Sequence, residues 1–152
     1  MPKVKKIINA TDDIVDETLE GVVLASHGKL MRVPGANAIC RTHIRDNKVA
    51  LLIGGGSGHE PMYTAYVGEN FADGSVAGHV FAAPSPDMVL AATKAVHRGK
   101  GVLYVYGNYA GDNMNFDIAA ELAAAEGIET RTVRVADDIV TTALLVAPCP
   151  AV

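Results

Sequence analysis

Leu51-Leu52-Ile53 runs without a polar break into Gly54-Gly55-Gly56-Ser57-Gly58, with His59-Glu60-Pro61 directly behind. A segment so continuously apolar has no face to offer water, so residues 48–53 must form a strand buried on both sides, as in a parallel sheet covered by helices. The rest of the chain supplies the layers that such a strand needs. Downstream, residues 75–81 read as a strand despite Gly78, and Ser85-Pro86-Asp87 opens a helix to about His97 with proline in its first turn. Residues 102–106 form another strand, residues 115–126 an alanine-rich helix closed by Gly127, and residues 128–135 a strand whose Thr and Arg alternation places it near an edge. Upstream, Thr11 is the expected cap of a helix with Asp12 and Asp13 in its first turn. Ile14, Val15, Leu19, Val22 and Val23 line one face of that helix, which stops near His27-Gly28. Residues 30–33 suit a short strand, residues 41–47 a polar connection, and residues 61–67 a short helix. Strands alternating with helices of this length predict an α/β fold, a mainly parallel sheet with flanking helices.

A chain of 152 residues, 49% of them hydrophobic, can bury one core and forms one domain. Its formal charge of −4 and lack of a basic run argue against nucleic acid as a partner. Cys40 and Cys149 stand in neither a C-x-x-C nor a histidine-spaced pattern, so neither a metal site nor a disulfide framework is expected. Reduced cysteines, a positive but not apolar amino terminus and no bilayer-length apolar run point to a soluble, cytoplasmic protein without a membrane partner.

Glycines at 54, 55, 56 and 58 let backbone N–H groups approach a small polar ligand without intervening Cβ atoms. The stretch matches no common phosphate motif: a P-loop needs lysine after the last glycine, and His59 stands there. His59 also displaces the last glycine of the dinucleotide fingerprint and of the hydrolase elbow. What remains is a cradle with one hydroxyl and one imidazole at its mouth, suited to an uncharged, hydroxyl-bearing ligand. A second strand, residues 102–106, ends in Gly107-Asn108-Tyr109-Ala110-Gly111-Asp112. In open α/β sheets ligands lie beyond the carboxyl ends of the strands, so these two loops can converge and offer His59 and Asp112 as an acid/base pair. Each feature also has a plainer reading: a tight turn, a satisfied loop histidine, a helix-capping aspartate.

Several of these stretches occur together in one family. Gly54 to Pro61, Tyr66-Val67-Gly68, Phe81 with Pro84-Ser85-Pro86-Asp87, Asn108-Tyr109 with Gly111-Asp112, and Asn115-Phe116 resemble the substrate-binding K subunit or K domain of the dihydroxyacetone kinases. The likeness holds from about Ile7 to Asp138, and implies the first α/β subdomain of that K domain. It implies that a short-chain ketose, dihydroxyacetone or erythrulose, lies against Gly56, Ser57, Gly58 and His59, with Asp112 accepting the proton of the attacking hydroxyl. The phosphoryl donor, ATP with Mg or a recharged ADP, would sit on a separate L-type domain or subunit, with a phosphotransferase-system protein as a further partner and none of these cofactors held by this chain. A homodimer is also implied. Gly107 stands where many relatives carry a substrate-contacting lysine, and a wider, less polar pocket would suit a four-carbon ketose. In the family a second subdomain supplies a histidine that binds the substrate carbonyl covalently. Residues 139–152 form an uncharged apolar tail that does not match it, so the second subdomain is expected to be absent. The alternative is a truncated, catalytically silent ketose-binding or regulatory module, and a lipid-binding protein of related architecture is the weaker third reading.

Overall fold

The computed structural model describes residues 7–137; the apolar tail expected at 139–152, Cys149 and Asp138 lie outside the described residues. A 3-10 turn at Thr11–Asp13 leads into α1 (Ile14–Ala25), followed by β1 (Leu30–Arg32), β2 (Ala38–Arg41), β3 (Lys48–Ser57), a second 3-10 turn (Thr64–Tyr66), β4 (Gly74–Val80), α2 (Pro86–Val96), β5 (Gly99–Gly107), α3 (Ala110–Ala125) and β6 (Thr130–Val135). The six strands form one sheet in the order β1-β2-β4-β3-β5-β6. Its β4-β3-β5-β6 part is parallel, and β1 and β2 are added antiparallel at the β4 side.

Both faces of the central strands are buried, as an uninterrupted apolar run requires. On one face Ala50 and Leu52 of β3, Val76 of β4 and Val102, Tyr104 and Tyr106 of β5 pack under α2 and α3. On the other, Ile53, Ile39 and Ala77 pack under Val15 and Leu19 of α1 and under the β3–β4 connection. Phe116 of α3 anchors the first layer: its ring stacks on Tyr106 at 4.1 Å and meets Tyr104 edge-on at 5.4 Å. The buried Tyr104 hydroxyl is satisfied by Thr93 of α2 at 2.7 Å.

Four expectations need correction. The segment at 61–67 forms only the 3-10 turn Thr64–Tyr66, entered through tight turns such as Met62 N–H to the His59 carbonyl. Ala38–Arg41, of which only Arg41 carried an expectation, that of a polar connection, is β2, held by its ladder to β4 rather than by any local propensity. α1 is capped at Asp13, not Thr11, because Thr11–Asp13 belong to the preceding 3-10 turn. Finally, α3 begins at Ala110, five residues earlier than its alanine-rich body suggested, so Asp112 lies inside the helix. The edge position of β6 agrees with its alternation.

Candidate active site

The site lies where the sheet's connections part. From β3 the chain passes to β4 over the α1 face, whereas from β5 it passes to β6 through α3 on the other face. The carboxyl ends of β3 and β5 therefore flank a topological switch point, the usual ligand crevice of an open α/β sheet. Pairing between the two strands ends at Gly54↔Tyr106, while β3 goes on pairing with β4 as far as Ser57↔Val80. Beyond Gly54 the β5 side of β3 is open, beneath the loop that leads into α3.

The glycines of this stretch also have a packing role. Gly54, Gly55 and Gly56 are strand residues, not a left-handed turn; only Gly58 takes a positive φ, +102°. Their missing side chains admit neighbours. A Cβ on Gly54 would lie 2.5 Å from Val76 Cγ1, one on Gly55 2.5 Å from the Tyr63 ring, and one on Gly56 2.9 Å from the Ala82 backbone. Ser57 Oγ donates to the Gly78 carbonyl at 2.7 Å, which ties it to β4, and Gly58 N–H donates to Glu60 Oε2 at 2.9 Å.

His59 is exposed at the end of this strand, its ring edge-on to Phe81 at 5.6 Å. Phe81 takes a left-handed φ of +55°, uncommon for a bulky residue, and its amide donates to the Ser57 carbonyl at 2.8 Å. Its ring covers Gly58, where a Cβ would sit 3.0 Å away. Phe81 thus fixes both the turn and the imidazole.

Asp112 is the third residue of α3 and is 9% exposed. Its burial follows from helical spacing: Asp112, Phe116, Ala119 and Ala123 are the buried residues of α3, one stripe turned to the sheet, and a carboxyl occupies the position one turn before the Phe116 anchor. Burial raises its pKa above the ordinary aspartate value; its own backbone amide and the charge of His59 act the other way. Asp112 Oδ1 has no hydrogen-bond partner. His59 and Asp112, 53 positions apart in the sequence, are placed by the end of β3 and by the first turn of α3 after β5, the two strands that flank the switch point.

Tyr63 was missed by sequence reasoning. It lies half-buried between His59 and the Thr64–Tyr66 turn, its ring against Gly55. Together with Ser57, Glu60 and Ser75 it lines a small cavity that opens to solvent. No motif announced it; the one available signal was a glycine in mid-strand, which often marks close approach of another group. Among the described residues no group of three or more His, Cys, Asp or Glu side chains could hold a metal, and no helix is long and apolar enough to cross a membrane.

An open α/β sheet with a polar crevice at its switch point is the usual architecture of a small-molecule-binding domain. Residues 20–145 match the Dak1 domain, and the chain belongs to that family. It is 44% identical over 135 residues to the dihydroxyacetone-binding subunit of PTS-dependent dihydroxyacetone kinase 1 from Listeria innocua, covering 89% of this chain and 41% of the relative. The fold superposes on the crystal structure of the dihydroxyacetone kinase from C. freundii with a TM-score of 0.85 and 35% identity, over 90% of this chain and 26% of that one. A dihydroxyacetone kinase operon co-activator superposes with a TM-score of 0.78 and 33% identity, over 84% of this chain and 39% of that one. The chain thus spans less than half the length of the curated relative and of either solved structure.

Proposed function

We propose that this chain is the ketose-binding part of a dihydroxyacetone kinase-like phosphotransferase, holding dihydroxyacetone or erythrulose for phosphoryl transfer. What supports this reading is the Dak1 fold, in which the end of β3 that leads to His59 and the start of α3 that bears Asp112 flank the switch point between β3 and β5. The ketose lies beyond Gly56, Ser57 and Gly58. As its terminal hydroxyl attacks the transferable phosphorus, a new O–P bond forms, the bond to the donor's leaving oxygen breaks, and the hydroxyl proton passes to the Asp112 carboxylate. The burial that raises the Asp112 pKa strengthens it as a base in its ionised form. His59 hydrogen-bonds the sugar from the opposite side of the crevice.

The residues here do not fit a nucleotide, because His59 replaces the lysine that a glycine-rich phosphate loop requires. The donor, ATP or ADP with Mg, therefore belongs in this reading to a separate L-type domain or subunit. The PTS dependence named for the Listeria relative supports a phosphotransferase-system protein as its ultimate source. The room beside Gly107 is taken by the Tyr109 ring, which a Cβ would approach to 3.1 Å, and by the Tyr63 hydroxyl at 3.4 Å, so the glycine does not by itself select the four-carbon ketose. On the same reading the subunit is cytoplasmic and homodimeric.

A coupled assay with a donor subunit and either ketose tests the proposal. His59→Ala and Asp112→Asn should each lower kcat by about 10²–10⁴-fold, and turnover untouched by both substitutions would reject the site. The likeness to an operon co-activator favours a second reading, a ketose sensor without catalysis. Calorimetric binding of the ketose without phosphorylation, in the presence of donor, would select it.

A further inference from the structure

The β3–β4 connection closes over the sheet on the α1 side, the face opposite α3 and its Asp112. Register fixes the side: Ser75 of β4 pairs with Ile39 and Ile53, and both isoleucines belong to the layer under α1. Beneath the connection, between β3 and β4, lies a cavity to which Ser57, Glu60, Tyr63, Thr64 and Ser75 contribute polar side chains. Ser75 is 1% exposed and its Oγ is buried without a hydrogen-bond partner, whereas Glu60 is exposed. The cavity thus runs from solvent to a buried hydroxyl. The room open to the centre of a water-sized molecule is about 10 Å³. That is at the lower limit for one water and too little for a sugar.

We infer that this cavity is the site of a single bound water, hydrogen-bonded to Ser75 Oγ and completed by oxygens of the connection. The donor and acceptor inventory is the reason. Ser57 Oγ already gives its proton to the Gly78 carbonyl, and the Glu60 carboxylate already accepts from the Gly58 N–H, so both have only acceptor capacity left. The Ser75 hydroxyl can serve either way. A water, with two protons to give and two lone pairs to receive, meets that set. A cation would find one carboxylate, and that one exposed; among the described residues no group of three or more His, Cys, Asp or Glu side chains could hold a metal. The consequence is mechanical. The amides of Met62, Ala65 and Tyr66 bond to the carbonyls of His59, Pro61 and Tyr63, all within the connection, so the water adds a polar tie from the connection to β4. It acts beside the Tyr63 ring, which fills the place of the side chain that Gly55 lacks. His59 stands at the head of this connection, yet the site is independent of any ketose in the crevice.

Two measurements on the whole chain test the site. A high-resolution crystal structure should show a water within about 3 Å of Ser75 Oγ, and the same water should be missing from Ser75→Ala. In thermal melts Ser75→Ala should unfold about 3 °C below wild type, because the oxygens that the water joined to β4 lose their partner. No density beside Ser75 Oγ, or a variant that melts at or above the wild-type midpoint, overturns the inference, since a hydroxyl buried dry is a cost and deleting it stabilises the fold. Should Ser75→Ala not fold, the wild-type crystal decides alone. Melts of the wild type in sodium, potassium and choline chloride at one ionic strength separate water from an ion. Equal midpoints support the water, and a midpoint raised by one alkali cation alone and not in Ser75→Ala overturns it in favour of a cation.

Discussion

Asp112 sets two demands against each other. In the proposed reading a carboxyl buried one helical turn before Phe116 takes a proton from a substrate hydroxyl, yet burial makes its ionised form costly to the fold. The folded pKa lies above the unfolded one, so the folded state holds more protons between the two values, and stability falls as pH rises through that window. Asp112→Asn should therefore raise the melting temperature at pH 7, by about 3 °C for about 1 kcal/mol. Calorimetric melts should show the gap closing as the pH falls through the folded pKa towards the ordinary aspartate value of 3.8. A variant more stable and less active would show that the carboxyl is kept for chemistry rather than for structure. The positions of His59 and Asp112 after two apolar strands were legible in the sequence, because each follows a strand in a glycine-bearing segment. Tyr63 and Ser75 were not, because each becomes polar-site material only through what a distant glycine or strand leaves beside it.

Glycines of similar appearance behave oppositely according to the element that holds them. Gly54, in the middle of β3, is enclosed by Val76 and by Phe116 Cζ, which a Cβ would approach to 3.3 Å. Gly21, on the exposed face of α1, has nothing within 4 Å of a built Cβ. Gly54→Ala should thus destabilise by about 1–3 kcal/mol through overpacking, while Gly21→Ala should stabilise by up to about 1 kcal/mol through helix propensity. Paired denaturant titrations would check both, and equal effects of the two substitutions would mean that β3 is not packed as described. The same tertiary logic explains the early start of α3. Residues 110–114 look like a loop by composition, but Asn113 N–H bonds to the Tyr109 carbonyl and the Asn115 side chain to the Pro84 carbonyl, which draws the polar segment into the helix.

Across the whole molecule the two ends of the sheet are treated differently. Near the amino end of β4, the fully buried Asp73 accepts from Lys48 Nζ at 2.7 Å, from Arg41 Nη1 at 3.2 Å and from the Leu51 amide at 2.9 Å, while its own backbone joins Leu51 and Arg41. One carboxylate thus locks β2, β3 and β4 in register, and its negative charge is matched by two cations. Asp73→Ala should cost about 3 kcal/mol, read as a lower denaturation midpoint, because it removes the shared partner of two partly buried charges. A midpoint within experimental error of wild type would mean that the network is ornamental. The opposite end is left open, with pairing that stops early and polar groups without partners, and the candidate site lies there.

The sequence by itself determined the α/β class, the order of most strands and helices, the edge position of β6 and the two strands after which His59 and Asp112 stand. Those features follow from local spacing: an apolar run with no wet face, apolar stripes on helices, and glycine or proline at the ends. The tertiary structure alone decided that β2 is a strand, that three of the glycines are strand residues making room for neighbours, and that Tyr63 packs where Gly55 has no side chain. Each of these depends on contacts between residues far apart in the chain, and the free energy of such a contact belongs to the pair and is not written in either residue's neighbourhood.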